Sequence, residues 1–84
     1  MRIIDKRPLP EHLADDVDVL AGLRAWYGVV GPACWTSAGE VLAEFPDAVI
    51  TEPGRLRFEI AGRYRMTVAF DFFLAVAWIA EAEG

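Results

Sequence analysis

Two runs of alternating apolar and polar residues, separated by three residues, constrain this chain more than any other feature of it. Leu56, Phe58 and Ile60 alternate with Arg55, Arg57 and Glu59; Tyr64, Met66, Val68 and Phe70 alternate with Arg65, Thr67 and Ala69. A period of two is the signature of a strand that buries one face. A three-residue loop, Ala61-Gly62-Arg63, would pair Ile60 with Tyr64, Phe58 with Met66 and Leu56 with Val68, and set Glu59 across from Arg65. A two-residue loop would put the two apolar sets on opposite faces, so register selects the longer loop. The result is a hairpin with one apolar face that must be covered.

Helices N-terminal to the hairpin can supply that cover. Met1 to Asp5 reads as a short strand, stopped by Pro8 and Pro10. From Glu11 the period changes: Leu13, Val17, Leu20 and Tyr27 recur at helical spacing, joined by Leu23, Trp26 and Val30 on neighbouring rows. Asp15, Asp16 and Asp18 suit a first turn, where carboxylates meet the positive end of the helix dipole. Gly28 and Gly31-Pro32 should end this helix, with glycine supplying a left-handed exit. Ser37 and Glu40 fit a capping box for a second, shorter helix closed by Pro46-Asp47, with Val41, Leu42 and Phe45 on its apolar face. Ala48–Thr51 leaves room for a further short strand, and Leu74 to Ala80 reads as a last one, apolar on both faces. The order β-α-α-β-β-β predicts an α+β fold, helices packed on one face of an antiparallel sheet, in a single domain over 1–84. A final strand apolar on both sides calls for cover, which a homodimer or a lost C-terminal segment would supply.

Composition removes several classes of function. Of 84 residues, 55% are hydrophobic, which supplies a core and excludes a disordered tail. Cys34 is the only cysteine and His12 the only histidine, so an internal disulfide, a multi-thiolate metal site and a His/Cys cluster are excluded; a Ser-His-Asp triad is disfavoured. No metal or cofactor is therefore expected. The longest apolar run, Phe72 to Ala80, is nine residues, against about 20 for a membrane helix. No N-terminal signal pattern is present, and the expected location is cytoplasmic. Eight basic and thirteen acidic residues give a net charge of −5, which disfavours wide contact with nucleic acid.

Charge is unevenly placed, however. Residues 55–65 hold four of the seven arginines, and the register puts Arg57 and Arg65 on one sheet face with Arg55 and Arg63 near the strand ends. These four are the candidate phosphate contacts, against the plainer alternative of a solvated face with Glu59 partly neutralising Arg65. Proton-transfer groups are scarce. His12 precedes the first helix, and Tyr64 falls on the core-facing side, so no catalytic residue can be assigned. Cys34 is expected buried or half-buried and unreactive. Trp26, Tyr27 and Trp35 could stack bases, but their helical spacing with Leu20 and Leu23 fits a core better.

The order of these segments resembles the HigB family of toxins from type II toxin–antitoxin modules. Leu23-Arg24-Ala25-Trp26-Tyr27, then Trp35-Thr36-Ser37, then Val41-Leu42-Ala43-Glu44-Phe45-Pro46 is similar to the family's LRAWY…W-K-S…V…FP stretch. Arg57-Phe58-Glu59-Ile60-Ala61-Gly62 is similar to V-F-N-I-G-G, and Tyr64-Arg65-Met66-Thr67-Val68-Ala69-Phe70 to Y-R-L-V-V-A-I. The likeness covers nearly the whole chain. It implies a RelE/ParE-superfamily fold, helices on a curved antiparallel sheet. It also implies metal-independent cleavage of mRNA on the ribosome, neutralised by a helix-turn-helix antitoxin of the HigA type. The family's last strand commonly reads Y-I-R-F-V-G-T-H-x-E-Y-D, whereas Trp78-Ile79-Ala80-Glu81-Ala82-Glu83-Gly84 stands here; Ala80 replaces the strand arginine, and the His and Tyr-Asp have no counterpart. Three readings follow from the resemblance: an mRNA endonuclease, an inactive homologue that binds a HigA-like antitoxin, or a truncated or idealised domain with a structural role.

Overall fold

A computed structural model describes residues 1–6 and 9–83. The chain runs through β1 (Arg2–Asp5), a 3-10 turn (Glu11–Leu13), α1 (Val17–Val30), α2 (Ala38–Glu44), β2 (Val49–Glu52), β3 (Arg55–Ile60), β4 (Tyr64–Asp71) and β5 (Val76–Glu83). The five strands form one sheet in the order β1-β5-β4-β3-β2, with both helices packed on one face. The fold is α+β, as the element order implies. The sheet is mixed, which corrects the expectation of a purely antiparallel one. β2, β3, β4 and β5 form an antiparallel meander, but β1 lies parallel to β5, Arg2 beside Val76 and Asp5 beside Ile79. Residues 2–5 are joined to their partners only through the helices and the whole meander, and that long crossover brings β1 in along the direction of β5.

The hairpin has the expected register. Ile60 faces Tyr64, Phe58 faces Met66, Leu56 faces Val68 and Glu59 faces Arg65. Its loop holds Ala61 and Gly62 at φ 54° and 68°, and Arg63 N–H donates to Ile60 O. Only glycine adopts such a φ without steric cost, so Gly62 lets so short a loop close.

α1 begins later than its polar approach suggested, because Asp16 caps it: the carboxylate accepts from the backbone N–H of Asp18 and Val19. Such a cap satisfies donors that the first turn leaves orphaned. Gly31 at the other end is right-handed, φ −53°, so the helix does not leave through a left-handed glycine. Pro32, which has no N–H to continue the ladder, follows directly. The buried stripe is Val19, Trp26 and Val30, with Leu23 partly covered. Of the row Leu13, Val17, Leu20 and Tyr27, Leu13 is buried in the core, whereas Val17 is 76% exposed and Leu20 and Tyr27 also face outward. Trp26 is the largest fully buried side chain, and the helix is turned to put it, not Tyr27, against the sheet. In α2, Ser37 caps by accepting from Glu40 N–H, and the Glu40 carboxylate accepts from Thr36 N–H. Val41 is fully buried beneath it.

The last strand starts at Val76 and not at Leu74. The Asp71 carboxylate accepts from Leu74 N–H, and Ala75 sits at φ 56°, so Phe72–Ala75 is a turn. The strand then runs on through Glu81 and Glu83, paired with Thr67 and Arg65, with an irregularity opposite Thr67/Val68. Those two acids therefore stand in a paired strand and not in a frayed end. The core joins edge-to-face rings, Trp26 on Phe58, Phe58 on Phe45 and Phe70, and Trp35 on Phe45 and Phe70. Such pairs contribute on the order of 1 kcal/mol each beyond their buried area. Trp26 and Trp35 are thus core. No helix is long and apolar enough to cross a membrane.

Candidate functional site

The sheet has a helix-covered face and a bare one, and strand alternation decides which side chains reach each. Arg57 and Arg65 lie on the bare face, since Leu56, Phe58, Tyr64 and Met66 are buried on the other. Arg55 begins β3 half-buried, between Ala69 and Glu52. Arg57 and Arg65 flank a shallow depression of about 130 Å³ together with Thr67, Glu81 and Glu83.

Carboxylates accompany these guanidiniums. Glu59 Oε1 lies 3.9 Å from Arg65 Nε, and Glu83 Oε1 lies 3.9 Å from Arg65 Nη1. Both pairs are exposed and loosely spaced, so each is worth little to stability. Their effect is on the field of the face, where Arg55, Arg57 and Arg65 are balanced by Glu59, Glu81 and Glu83. Charges of both signs within a few ångströms cancel beyond a Debye length of roughly 8 Å.

Arg63 does not join the other arginines. Its Nε donates to Asp16 Oδ2 at 2.9 Å and its Nη2 to Asp16 Oδ1 at 3.0 Å, with Asp18 Oδ2 at 3.2 Å. This bidentate fork ties the hairpin loop to the N-terminus of α1. The hydrogen bond from Arg63 holds the Asp16 carboxyl below its ordinary 3.8, helped by the capping N–H of Val19; Asp16 in turn pushes the Arg63 guanidinium up.

Apart from the carboxylates of Glu59, Glu81 and Glu83, the groups that could move a proton, the histidine, the tyrosines and the cysteine, lie elsewhere. His12 is exposed in the 3-10 turn before α1. Tyr64 is buried on the helix-covered face, opposite to Arg57 and Arg65. Tyr27 donates its hydroxyl hydrogen bond to Asp5 Oδ2, and burial, together with the Asp5 charge, pushes its phenol up to about 12. Cys34 is exposed, against expectation, because Pro32 and Trp35 direct the chain along the surface; its Sγ contacts only Pro32 O, at 3.9 Å. Among the described residues no cluster of His, Cys, Asp or Glu could hold a metal ion.

Sequence reasoning did not find a second feature, a cleft of about 370 Å³ where α1, the end of α2 and β3 meet. Trp26, Phe45 and Phe58 wall it, Glu44 and Asp47 stand at its rim, and among the described residues no basic one lines it. Gly22 permits the close approach of α1 to β3 that shapes it. The one local signal was Gly22 itself, a small residue inside a helical run.

No protein-family model matches this chain, and no curated protein matches it.

Proposed function

We infer that the chain is a HigB-like domain of RelE/ParE type that acts by binding a protein partner, a HigA-like helix-turn-helix antitoxin, and does not itself cleave RNA. The resemblance in segment order supports the family, and two helices on one face of a five-stranded sheet agree with its coarse α+β arrangement. The observation that carries the functional reading is the pairing of the arginines: Arg63 is engaged by Asp16 and Asp18, and Arg65 stands between Glu59 and Glu83. Each neutralised phosphate needs a cation, and a face with as many carboxylates as guanidiniums repels a polyanion as much as it attracts one. Attack by a 2′-hydroxyl would also need a base and an acid near that cation; His12, Tyr27 and Tyr64 are placed elsewhere, and the carboxylates of Glu59, Glu81 and Glu83 beside Arg57 and Arg65 repel the phosphate they would have to serve.

Protein partners suit the surface better. Val29 is exposed on α1 and lines the aromatic cleft, with Glu44 and Asp47 at its rim. Apolar anchors with acidic neighbours complement a basic, apolar segment of a partner. The test is expression in bacteria with and without a HigA-like protein, followed by co-purification. Expected are normal growth, intact mRNA and a complex at micromolar concentration, weakened by charge reversal at Glu44 and Asp47. Growth arrest with mRNA cleavage that Arg57→Ala and Arg65→Ala abolish would overturn the reading.

A further inference from the structure

We propose that the helix-free face of the sheet is the contact surface of a homodimer, two copies packed sheet to sheet about a twofold axis parallel to the strands at Trp78. This goes beyond the antitoxin-binding reading and does not rest on it. β5 is apolar on both sides. Ala77 and Ile79 are buried beneath the helices, while Val76 and Trp78 point the other way. There Trp78 is 50% exposed and Leu74 65%, and with Ile4 and Ala69 they border a depression of about 380 Å³. The Lys6 Nζ lies over the Trp78 ring, 6.0 Å from its centroid, and leaves half of the side chain exposed; an exposed tryptophan bordered by aliphatic groups is a typical anchor of a protein interface.

The occupant follows from the pattern of rows across the sheet. Val76 is flanked by Arg2 on one side and Asp71 on the other; Trp78 is flanked by Ile4 on one side and Ala69 on the other. A twofold along β5 exchanges the two flanks. Arg2 of each copy then lies over Asp71 of the other, Ile4 over Ala69, and the two Trp78 rings meet at the axis. Among the described residues Arg2 has no ion-pair partner in its own chain. A twofold interface must complement itself, and these rows do so: opposite charges meet twice, and apolar groups meet between them. Aligned sheets pack roughly 10 Å apart, which suits side chains of this size.

The area sets the strength. Three strands about 4.8 Å apart and roughly 20 Å long give a footprint well below that of a standard interface, which takes about 800 Å² from each partner. The dimer is therefore a weak, transient one that forms as concentration rises toward millimolar. Sedimentation equilibrium of the whole chain from micromolar to millimolar tests it. The expected mass climbs from 9.3 kDa toward twice that value. Trp78→Ser abolishes the rise, and circular dichroism confirms that the variant is folded. Arg2→Asp weakens association at least tenfold, whereas Arg2→Lys, which keeps the charge, retains it; Asp71 is left in place because its carboxylate also holds the Leu74 turn. Should Trp78→Ser fail to fold, the two Arg2 variants decide alone. A mass that stays at 9.3 kDa at millimolar concentration overturns the proposal, whatever else covers this face. So does a dimer indifferent to Trp78→Ser and to Arg2→Asp.

Discussion

Two glycines in α1 give the same substitution opposite signs. Gly28 is exposed, and a Cβ added there meets nothing within 4 Å. Gly28→Ala therefore gains only the difference in helix propensity, about 1 kcal/mol. In a domain of this size that raises the thermal midpoint by roughly 4–8 °C. Gly22 lies four residues before Trp26 in the sequence, on the side of α1 that meets β3, and its added Cβ falls 2.7 Å from Ile60 Cγ2. That atom is a branch methyl, fixed by a stiff χ1, on a residue that is itself buried in the core. It cannot swing aside like the end of a long chain, so helix and strand must separate. Overpacking of this kind costs about 1–3 kcal/mol, which outweighs the propensity gain and leaves Gly22→Ala about 0–2 kcal/mol less stable than the native chain. Urea denaturation followed by circular dichroism at 222 nm reads both variants. Ile60→Leu removes the branch methyl, so the double variant G22A/I60L should be more stable than the sum of its parts predicts. Equal stabilisation by Gly22→Ala and Gly28→Ala would refute the argument, because it would mean that α1 and β3 do not approach closely at Gly22.

Asp16 both caps α1 and receives the Arg63 fork, so at neutral pH stability should fall in the order native, Asp16→Asn, Asp16→Ala, measured as thermal midpoints. Its carboxyl is held below the ordinary 3.8, so its contribution is complete above that value and is lost as pH falls through the folded value; Asp16→Asn should flatten that acid limb. Tyr27 behaves in the opposite sense. With a folded value of about 12 against 10.0, the neutral phenol is the favoured form, and its contribution is complete below pH 10 and lost as pH rises toward 12. Absorbance at 295 nm should show the Tyr27 phenol ionising late, and Tyr27→Phe should remove both that step and its part of the alkaline destabilisation. The Trp26 indole N–H is buried with no hydrogen-bond partner among the described residues. Leaving such a donor unpaired costs about 1–3 kcal/mol, which offsets the volume lost in Trp26→Phe. That variant should cost less than about 1.5 kcal/mol by urea denaturation, while Trp26→Ala should cost about 3–5 kcal/mol.

What the sequence made legible was local. The hairpin register followed from alternation and loop length, because only one offset keeps Leu56, Phe58, Met66 and Val68 on one face. Ser37 announced α2 for the same reason: a cap and its N–H are three residues apart. The misreadings fall where a local signal was outweighed by a distant or finer one. Leu74 is apolar enough for a strand, but the Asp71 carboxylate closes a turn over it. The parallel pairing of β1 with β5 links Arg2 to Val76 and leaves no mark on either segment.

The same division decides what the arginines mean. Within residues 55–65 four cations face one acid, and a local count reads as a phosphate site. Their sign in space is set from far along the chain. Asp16, 47 residues away, takes Arg63 toward the helix, and the extension of β5 past Ala80 carries Glu83 beside Arg65 and Glu81 beside Thr67. Both depend on contacts that no window of sequence contains, and both move the face in the same direction, from cationic toward neutral. The same face carries Trp78, half-exposed on β5 with the Lys6 Nζ over its ring. A surface of cancelling charges around an apolar centre holds a polyanion poorly, because the attraction that such a ligand needs is long-ranged. It serves a protein surface well, because there the charges act only at contact and the apolar centre supplies the burial.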